Sequence, residues 1–273
     1  MSAPLQVLVD GKPCHEQWPL DRGLQYGDGL FETMLVRNGR IRFETLHRAR
    51  LARGCEQLLI HADHSALWRQ AQQLARAHGE ALLKLQLTRG DATARGYAPA
   101  GNEQARLILT VHAAPVRAEL PATVRAISLQ HRLGENPHLA GIKHCNRLEQ
   151  VLARAALQGT GAFEGLMASS SGRLISGTMS NVFLELDGEL VTPAIDQCGI
   201  AGVMRAVVMR EAAHLRIPLR IATLPVSALE SCSSLALSNV RLGLLPVDEL
   251  DGRAMPVSPL LQDLAMRAEA LDE

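Results

Sequence analysis

The sequence contains the segment NPHLAGIKHCNRLEQVL at residues 136–152, in which Lys143 follows Gly-Ile and precedes a helical pattern. From Leu148 onward, the apolar residues Val151, Leu152 and Ala155 recur at helical spacing, and polar residues occupy positions between them. Lys143 therefore lies where a loop enters a helix, and its side chain can be held rigidly there. The spacing alone favours a solvated surface lysine, so other motifs must decide whether it is instead a buried amine that condenses with a carbonyl group.

Composition and charge limit the classes to which this protein can belong. The chain has 273 residues, of which 47% are hydrophobic and 3% are aromatic, and its formal net charge is zero, with 28 basic and 28 acidic residues. This length predicts two adjoining globular domains. The balanced charge argues against binding to nucleic acid or to an anionic membrane surface, and the few aromatic residues argue against base stacking.

The amino terminus and the cysteines indicate a cytoplasmic protein without a metal site. The first residues, MSAPLQVLVDGK, lack a signal sequence, and no apolar run reaches the length of a membrane span. The five cysteines are widely separated and lack Cys-x-x-Cys spacing. We therefore expect reduced thiols, with neither a disulfide framework nor a zinc site.

Strand and helix patterns alternate through both halves of the chain. In the first half, apolar alternation and turn residues predict strands at 5–9, 30–36, 41–43, 81–88 and 105–111 and helices at 45–60 and 66–78. In the second half, they predict strands at 124–129, 163–168, 181–186 and 234–238 and helices from 148 and over 202–215. The predicted fold is α+β or α/β with two domains, a small one over residues 1–115 and a larger one over 116–273 that carries Lys143, with a cleft between them.

Two motifs in the second half have the chemistry of an anion site. In QCGIAGVMRAVVMREAAHL (197–215), two glycines precede a helix and leave the backbone amides of Val203 and Met204 available to an anion. In LALSNVRLGLLPV (235–247), a strand ends at Ser238-Asn239, where small polar groups can add donors. A plain turn and an ordinary strand exit would have the same sequences, so neither motif is specific by itself.

A third motif, LHRARLARGCEQL (46–58), contains an arginine that could bind the same anion. Its helical pattern places Arg50 next to the apolar-face residue Leu51, from which a guanidinium can reach inward as a bidentate phosphate clamp. A solvated basic face fits the pattern equally well. A lysine amine, helix-start amides, a strand-end polar pair and an arginine together are the parts needed to hold a phosphorylated aldehyde.

Five segments occur in an order and spacing that resemble a known family. They are YGDGLFETM (26–34), LHRARL (46–51), NPHLAGIKHCNRLEQVL, GTMSNVF (177–183) and CGIAGVMR (198–205), and they span nearly the whole chain. The sequence resembles the fold-type IV pyridoxal-phosphate enzymes, and among them most closely the aminodeoxychorismate lyases. The resemblance implies a two-domain fold of the D-amino-acid aminotransferase type, with pyridoxal 5'-phosphate bound in the cleft between the domains.

The resemblance assigns the residues that hold the cofactor. It implies that Lys143 forms a Schiff base with the aldehyde and later transfers protons. Arg50 would clamp the phosphate, joined by the amides of Val203 and Met204 and by Asn239.

Substrate roles also follow from the resemblance. Thr33 would lie near the reacting carbon, and Arg95 and Tyr97 would hold the substrate's carboxylates and ring. The implied activity is elimination of pyruvate from 4-amino-4-deoxychorismate to give 4-aminobenzoate for folate biosynthesis, by a homodimer. The sequence does not decide which subunit supplies Arg95 and Tyr97.

One position departs from the family pattern. In GRLISGTMSNVF (172–183), Ser176 stands where a glutamate usually pairs with the pyridine nitrogen, and a hydroxyl stabilises a protonated nitrogen less than a carboxylate does. The lyase can tolerate this, activity can be altered or lost, or a nearby acid such as Glu164 or Glu149 can substitute. Two other functions stay open, a D-amino-acid or branched-chain aminotransferase and a pyridoxal-phosphate-binding homologue with weakened or lost catalysis.

Overall fold

The structure is a computed structural model that describes residues 6–13, 21–91, 96–116 and 119–271. Its internal contacts divide the chain into two units. The first unit comprises the described residues up to 116 together with Ile142–Asn146. The second comprises Glu119–Gly141 and Arg147–Leu271.

A six-stranded antiparallel sheet forms the frame of the first unit. Its strands are β1 (Gln6–Val9), β2 (Lys12–Pro13), β3 (Gly29–Arg37), β4 (Arg40–Ile41), β5 (Ala81–Thr88) and β6 (Arg106–His112), in the order β2-β1-β6-β5-β3-β4. The helices are α1 (Arg22–Tyr26), α2 (Glu44–Leu58) and α3 (His64–His78). Alternate residues of β3, β5 and β6 are buried, as expected when one face of a sheet carries the core.

Helices α2 and α3 cover that buried face, α2 on β3 and α3 on β5 and β6. Helix α3 begins after Asp63, whose carboxylate accepts a hydrogen bond of 2.9 Å from the amide of Ala66. Its apolar residues recur on one face and are buried, namely Leu67, Trp68, Ala71, Leu74 and Ala75. Burying each large side chain of this kind contributes roughly 1.5–3 kcal/mol, so this stripe fixes the helix to the sheet.

A nine-stranded mixed sheet forms the second unit, in the order β12-β11-β10-β13-β14-β7-β8-β9 with β15 paired to β14. Its strands are β7 (Val124–Leu133), β8 (Glu164–Ser169), β9 (Leu174–Gly177), β10 (Asn181–Leu186), β11 (Glu189–Pro193), β12 (Leu219–Ala222), β13 (Ser234–Asn239), β14 (Gly243–Leu250) and β15 (Arg253–Ala254). The helices are α4 (Leu148–Ala156), α5 (Val203–His214), α6 (Ala228–Ser231) and α7 (Pro259–Ala270). Strands β8, β10 and β13 are buried along nearly their whole length, so both faces of these strands are covered.

The segment that carries Lys143 groups with the first unit, whereas the sequence-based division placed it in the second domain. Two backbone hydrogen bonds explain the difference: the Phe31 amide donates to the Lys143 carbonyl at 2.9 Å, and the Cys145 amide donates to the Gly29 carbonyl at 2.9 Å. Residues on either side of Ile142–Asn146 belong to the second unit. A short stretch of chain therefore leaves one unit, lies along the first residues of β3, and returns.

The described residues contain no helix that is both long enough and apolar enough to cross a membrane. Within the same residues, no group of three or more His, Cys, Asp or Glu side chains could hold a metal ion. Four cysteines, Cys55, Cys145, Cys198 and Cys232, are free thiols, and Cys14 lies outside the described residues.

Candidate functional site

Lys143 is not a solvated surface lysine. Its ammonium nitrogen lies over the aromatic ring of Phe31, 4.2 Å from the ring centroid, and its side chain is half-buried. The neighbouring residue His144 forms a backbone bridge with Leu30, so the chain around the amine is tied to the start of β3. Phe31 and Thr33 alternate with the buried residues of β3 and share the opposite face of the strand. The amine, the aromatic ring and the Thr33 hydroxyl therefore belong to one face of the first unit.

The other face of β3 carries a buried charge cluster that contains Arg50. The Arg50 guanidinium grips the carboxylate of Glu32 in a bidentate manner, with Nε 2.7 Å from Oε1 and with Nη2 donating to Oε2. His47 Nδ1 lies 2.6 Å from the same Oε2. All three side chains are buried, and His47 is completely inaccessible to solvent. The arginine is thus oriented by a carboxylate that is itself held by a second residue of α2.

The charges of this cluster determine the protonation of its members. Burial raises the pKa of Glu32, but the charges and hydrogen bonds of Arg50 and His47 outweigh burial and lower that pKa to about 2. Burial lowers the pKa of His47, and the positive charges of Arg50 and Lys143 add to this effect against the raising effect of Glu32. Because the ionised Glu32 carboxylate can only accept, His47 Nδ1 donates to it. Its Nε2 atom is buried and has no hydrogen-bond partner among the residues that the structure describes.

Replacing Glu32 with glutamine should remove an acid-dependent part of the stability. The folded protein keeps Glu32 ionised down to a pKa of about 2, whereas the ordinary value is 4.5, so this stabilisation is present above pH 4.5 and is lost as pH falls toward 2. The pH-dependent part amounts to about 3 kcal/mol. We expect urea unfolding at pH 7 to show a large destabilisation of Glu32→Gln that shrinks as pH approaches 2.5.

A matched control is Glu56→Gln, which changes an exposed carboxylate of α2, the helix that carries His47 and Arg50. It should unfold like the wild type at each pH. Equal pH dependence of wild type and Glu32→Gln would contradict the assignment of the buried charge pair.

In the second unit, the amino terminus of α5 has the form of an anion cradle. Gly202 precedes the helix without a side-chain cap, and the residues whose amides follow, Val203 and Met204, are buried. A Cβ atom at Gly202 would collide with Oδ1 of Asn181, whose amide nitrogen donates to the Ile200 carbonyl at 2.8 Å. Only glycine therefore fits at this position, and the unshielded amides at the helix start favour a negative group.

Strand β13 brings a hydroxyl to the same place. Ser238 pairs across the sheet with Asn181, and its hydroxyl is buried without a hydrogen-bond partner among the described residues. The side chain of Asn239 is engaged in a turn, because its Oδ1 accepts from the amides of Arg241 and Leu242 at 3.0 and 2.9 Å. The unsatisfied donor at this strand end is thus Ser238, and the combined set of amides and hydroxyl fits a phosphate group.

Ser176 lies buried in β9 opposite Met167. Glu164 is also fully buried, but its carboxylate accepts hydrogen bonds from the amide and hydroxyl of Thr178, from the Met179 amide at 3.2 Å and from the Ser180 hydroxyl at 2.9 Å. These bonds hold the turn between β9 and β10. The Glu164 carboxylate is therefore engaged in hydrogen bonds within the protein.

Glu149, the other acid considered from the sequence, is exposed on α4 and accepts a hydrogen bond of 2.7 Å from the Gly134 amide. It ties the start of α4 to the end of β7. Both acids named from the sequence are therefore engaged in hydrogen bonds within the protein.

Of the two residues expected to hold substrate, Tyr97 is described and Arg95 lies outside the described residues. Tyr97 is 83% exposed, packs edge-on against Tyr26 at 5.4 Å between ring centroids, and accepts a hydrogen bond of 2.6 Å at its carbonyl from Arg22 Nη2. The position of its backbone is thus fixed, while its ring remains available to another molecule.

The sequence analysis named Lys143, Arg50 and the α5 amides as candidates, but it did not name Glu32 and His47. A signal was present, because Glu32 occupies a core-facing position of β3 between Leu30 and Met34, where a carboxylate must be paired with a cation. The partner comes from α2, 15 to 18 residues away along the chain.

Comparison with known proteins connects this arrangement to one family. The sequence model of the class IV amino-transferases matches residues 29–250. Aminodeoxychorismate lyase from Vibrio harveyi is 31% identical over 231 residues, which cover 83% of this chain and 84% of that protein. The crystal structure of 4-amino-4-deoxychorismate lyase from Pseudomonas aeruginosa has a TM-score of 0.92 and 41% identity, covering 98% of this chain and 100% of that one.

A hypothetical aminotransferase from Mycobacterium tuberculosis, in its PLP-bound form, shares the fold with a TM-score of 0.82 and 22% identity, covering 97% of this chain and 98% of that one. These likenesses confirm the fold class and the family resemblance that the sequence motifs predicted.

Proposed function

The chain belongs to the class IV amino-transferase family, and on that premise we propose that it is a pyridoxal-phosphate-dependent 4-amino-4-deoxychorismate lyase. The observation that carries the proposal is the half-buried amine of Lys143, which lies over Phe31 in the segment NPHLAGIKHCNRLEQVL. The 41% identity to the Pseudomonas aeruginosa lyase over nearly the whole chain supports this assignment.

We propose that the donor groups described above hold the cofactor. Lys143 Nζ would condense with its aldehyde, and Arg50, the amides of Val203 and Met204, and the Ser238 hydroxyl would bind its phosphate. Asn239 would also donate to the phosphate, as expected from the sequence, and its Oδ1 would stabilise the turn after β13 by accepting from the amides of Arg241 and Leu242. Bound pyridoxal phosphate supplies an electron sink that stabilises a carbanion next to the substrate nitrogen.

The Ser176 hydroxyl would hydrogen-bond the pyridine nitrogen of the cofactor. Because the described acids Glu164 and Glu149 are used elsewhere, this nitrogen would have no carboxylate partner from either of them. The aromatic product of the proposed reaction lowers the demand on the electron sink, which makes a lyase more compatible with Ser176 than a transaminase is.

Lys143 Nζ has two tasks in the proposed reaction. The Lys143 amine would remove the proton from the carbon that bears the substrate's amino group. The bond between the ring carbon and the enolpyruvyl oxygen would then break, the proton would pass to the methylene carbon of the leaving group, and pyruvate and 4-aminobenzoate would leave. Their atoms together equal those of the substrate, so no water or oxidant is consumed. The Thr33 hydroxyl, on the same face as the amine, would orient the reacting carbon, and Arg95 and Tyr97 would hold the substrate.

We also propose that the protein acts as a cytoplasmic homodimer in the synthesis of folate precursors. Helix α4 exposes Leu148, Val151 and Leu152 by 76%, 58% and 58%, and the Tyr97 ring is exposed by 83%. A second copy covering such surfaces would remove apolar area from water and would give the exposed Tyr97 ring a ligand or protein neighbour.

The proposed function is tested by incubating the purified protein with pyridoxal phosphate and 4-amino-4-deoxychorismate and measuring both products. Equal amounts of pyruvate and 4-aminobenzoate support the lyase. An aminotransferase would instead convert an amino acid and a keto acid and would form pyridoxamine phosphate. A stable cofactor absorption band with neither product would favour a binding protein without turnover.

A further inference from the structure

The turn that connects α1 to β3, Gly27-Asp28-Gly29, is packed against the segment of Lys143. Asn146 Nδ2 donates a hydrogen bond of 3.1 Å to the Gly27 carbonyl. Gly27 has a φ of +67°, and a Cβ atom there would collide with Oδ1 of Asn146. Glycine is therefore required where this turn meets the segment that carries the reactive amine.

Two buried arginines hold the carboxylate of Asp28 in this turn. Arg89 grips it in a bidentate manner, with Nε 2.7 Å from Oδ2 and Nη2 3.0 Å from Oδ1, and Arg22 Nε donates to Oδ2 at 2.9 Å. Arg89 also donates to the carbonyls of Leu58 and Leu59 at 2.6 and 2.7 Å, where α2 ends. Burial raises the pKa of Asp28, but the hydrogen bonds and charges of the two arginines outweigh burial and lower that pKa. The ionised carboxylate therefore fixes both guanidinium groups.

The other nitrogens of Arg22 hold an exposed part of the chain, 74 and 75 residues away in sequence. Nη2 donates to the Tyr97 carbonyl at 2.6 Å, and Nη1 donates to the Gly96 carbonyl at 3.4 Å. The guanidinium carbon also lies 5.0 Å from the centroid of the Tyr26 ring, against which the Tyr97 ring packs edge-on. Arg22 is 4% exposed, whereas Tyr97 is 83% exposed. A buried cation thus holds the backbone of a residue whose side chain stays outside.

This use of Arg22 points to a role for the position of Tyr97. Burying a charged group is costly, and the carbonyls of an ordinary surface loop can be satisfied by water. We propose that Arg22, held by Asp28, is a positioning residue that fixes the backbone at Gly96 and Tyr97 so that the Tyr97 ring is presented to the substrate. This inference rests on the proposed function, in which Tyr97 holds 4-amino-4-deoxychorismate. Arg22 does not touch the substrate; it favours binding because the ring is already ordered before the substrate arrives.

Arg22→Lys separates the two tasks of this arginine. A lysine can keep the ion pair with Asp28, so the variant should fold, but its single nitrogen lacks the planar fork that reaches the carboxylate and both carbonyls. Losing these hydrogen bonds predicts a KM for 4-amino-4-deoxychorismate that rises about 5- to 20-fold, with kcat changed less than about threefold. The affinity for pyridoxal phosphate and its absorption band should not change. The control Arg53→Lys, at an exposed arginine of α2, should keep the KM of the wild type.

Tyr97→Ala shows whether Arg22 acts through the Tyr97 ring. KM should rise in Tyr97→Ala alone, and adding Arg22→Lys should change it further by less than about twofold, because the ring that the arginine positions is gone. An unchanged KM in Arg22→Lys would overturn the proposal. An equal rise in KM from Arg22→Lys with and without the Tyr97 ring would also overturn it, because the arginine would then act on another part of the protein.

Failure of the proposed function would be recognised separately, by the absence of both products with the wild type. The order of the segment is then measured by amide hydrogen exchange of the peptide that contains Gly96 and Tyr97. Faster exchange in Arg22→Lys than in the wild type and Arg53→Lys supports the positioning role, and equal exchange in all three proteins overturns it.

Discussion

Replacing Lys143 with alanine is expected to abolish lyase activity, lowering turnover by roughly a thousandfold or more. The same nitrogen is assigned two tasks, binding the cofactor aldehyde and transferring a proton. Among the described residues, no other lysine lies in the segment that is hydrogen-bonded to the first residues of β3. The variant should also lose the visible absorption band of the covalently held cofactor. Steady-state production of pyruvate and an absorption spectrum of the purified protein measure both effects.

The matched control for this variant is Lys12→Ala, at the exposed lysine of β2. It should retain both activity and absorption band. Because the Lys143 amine is half-buried and contacts Phe31 rather than the core, the alanine variant should fold, which circular dichroism can verify. A folded Lys143→Ala protein with turnover within tenfold of the wild type would contradict the role of this residue.

Replacing Ser176 with glutamate is expected to raise turnover, by at least about tenfold. A carboxylate beside the pyridine nitrogen favours its protonated form and can shift the pKa of a neighbouring group by 1–3 units, whereas a hydroxyl cannot. Since Glu164 and Glu149 make hydrogen bonds elsewhere, the added carboxylate would not duplicate either of them. Single-turnover and steady-state formation of 4-aminobenzoate would measure the gain.

Ser176→Gln is the matched control, because glutamine has the size of glutamate without its charge. It should bind pyridoxal phosphate and show no gain in turnover. A Ser176→Glu protein that binds the cofactor yet turns over no faster than the wild type would show that the serine does not limit the reaction. Loss of cofactor binding in that variant would also count against the account.

Much of the fold could be predicted from the sequence where the apolar period was clear. Strands β5 and β10 were predicted with the bounds that they have in the structure, and α3 was predicted to begin two residues late. In these segments the apolar alternation or helical spacing is uninterrupted, and turn residues mark the ends. Strand β14 was missed, because Pro246 within Gly243–Leu250 is atypical of an interior strand. Helix α7 was also missed, although Ser258 and Pro259 form a recognisable helix start.

Helix α4 illustrates the limit of periodicity. Its apolar spacing from Leu148 predicted a helix, and the helix is present over Leu148–Ala156. The same spacing did not indicate what the apolar residues contact, and Val151 and Leu152 are largely exposed in the single chain. An amphipathic pattern specifies a face to be covered, but it does not specify what covers that face.

In the candidate site, too, the features that depend on neighbouring residues could be predicted, and those that depend on tertiary packing could not. Lys143 and Gly202 stand in motifs whose local form, a loop entering a helix and glycine before a helix, can be predicted from neighbouring residues. The pairing of Glu32 with Arg50 and His47 could not be predicted with its geometry, because it depends on how α2 packs on β3.

The most direct test of the account is to find the amine that holds the cofactor. Pyridoxal phosphate is bound to the protein, the complex is reduced with borohydride, and mass spectrometry of its peptides locates the phosphopyridoxyl group. We expect the label on the peptide that contains Lys143, and no label in Lys143→Ala. A label on Lys84 or Lys12, or an unlabelled protein, would contradict the assignment of Lys143 as the amine that binds pyridoxal phosphate.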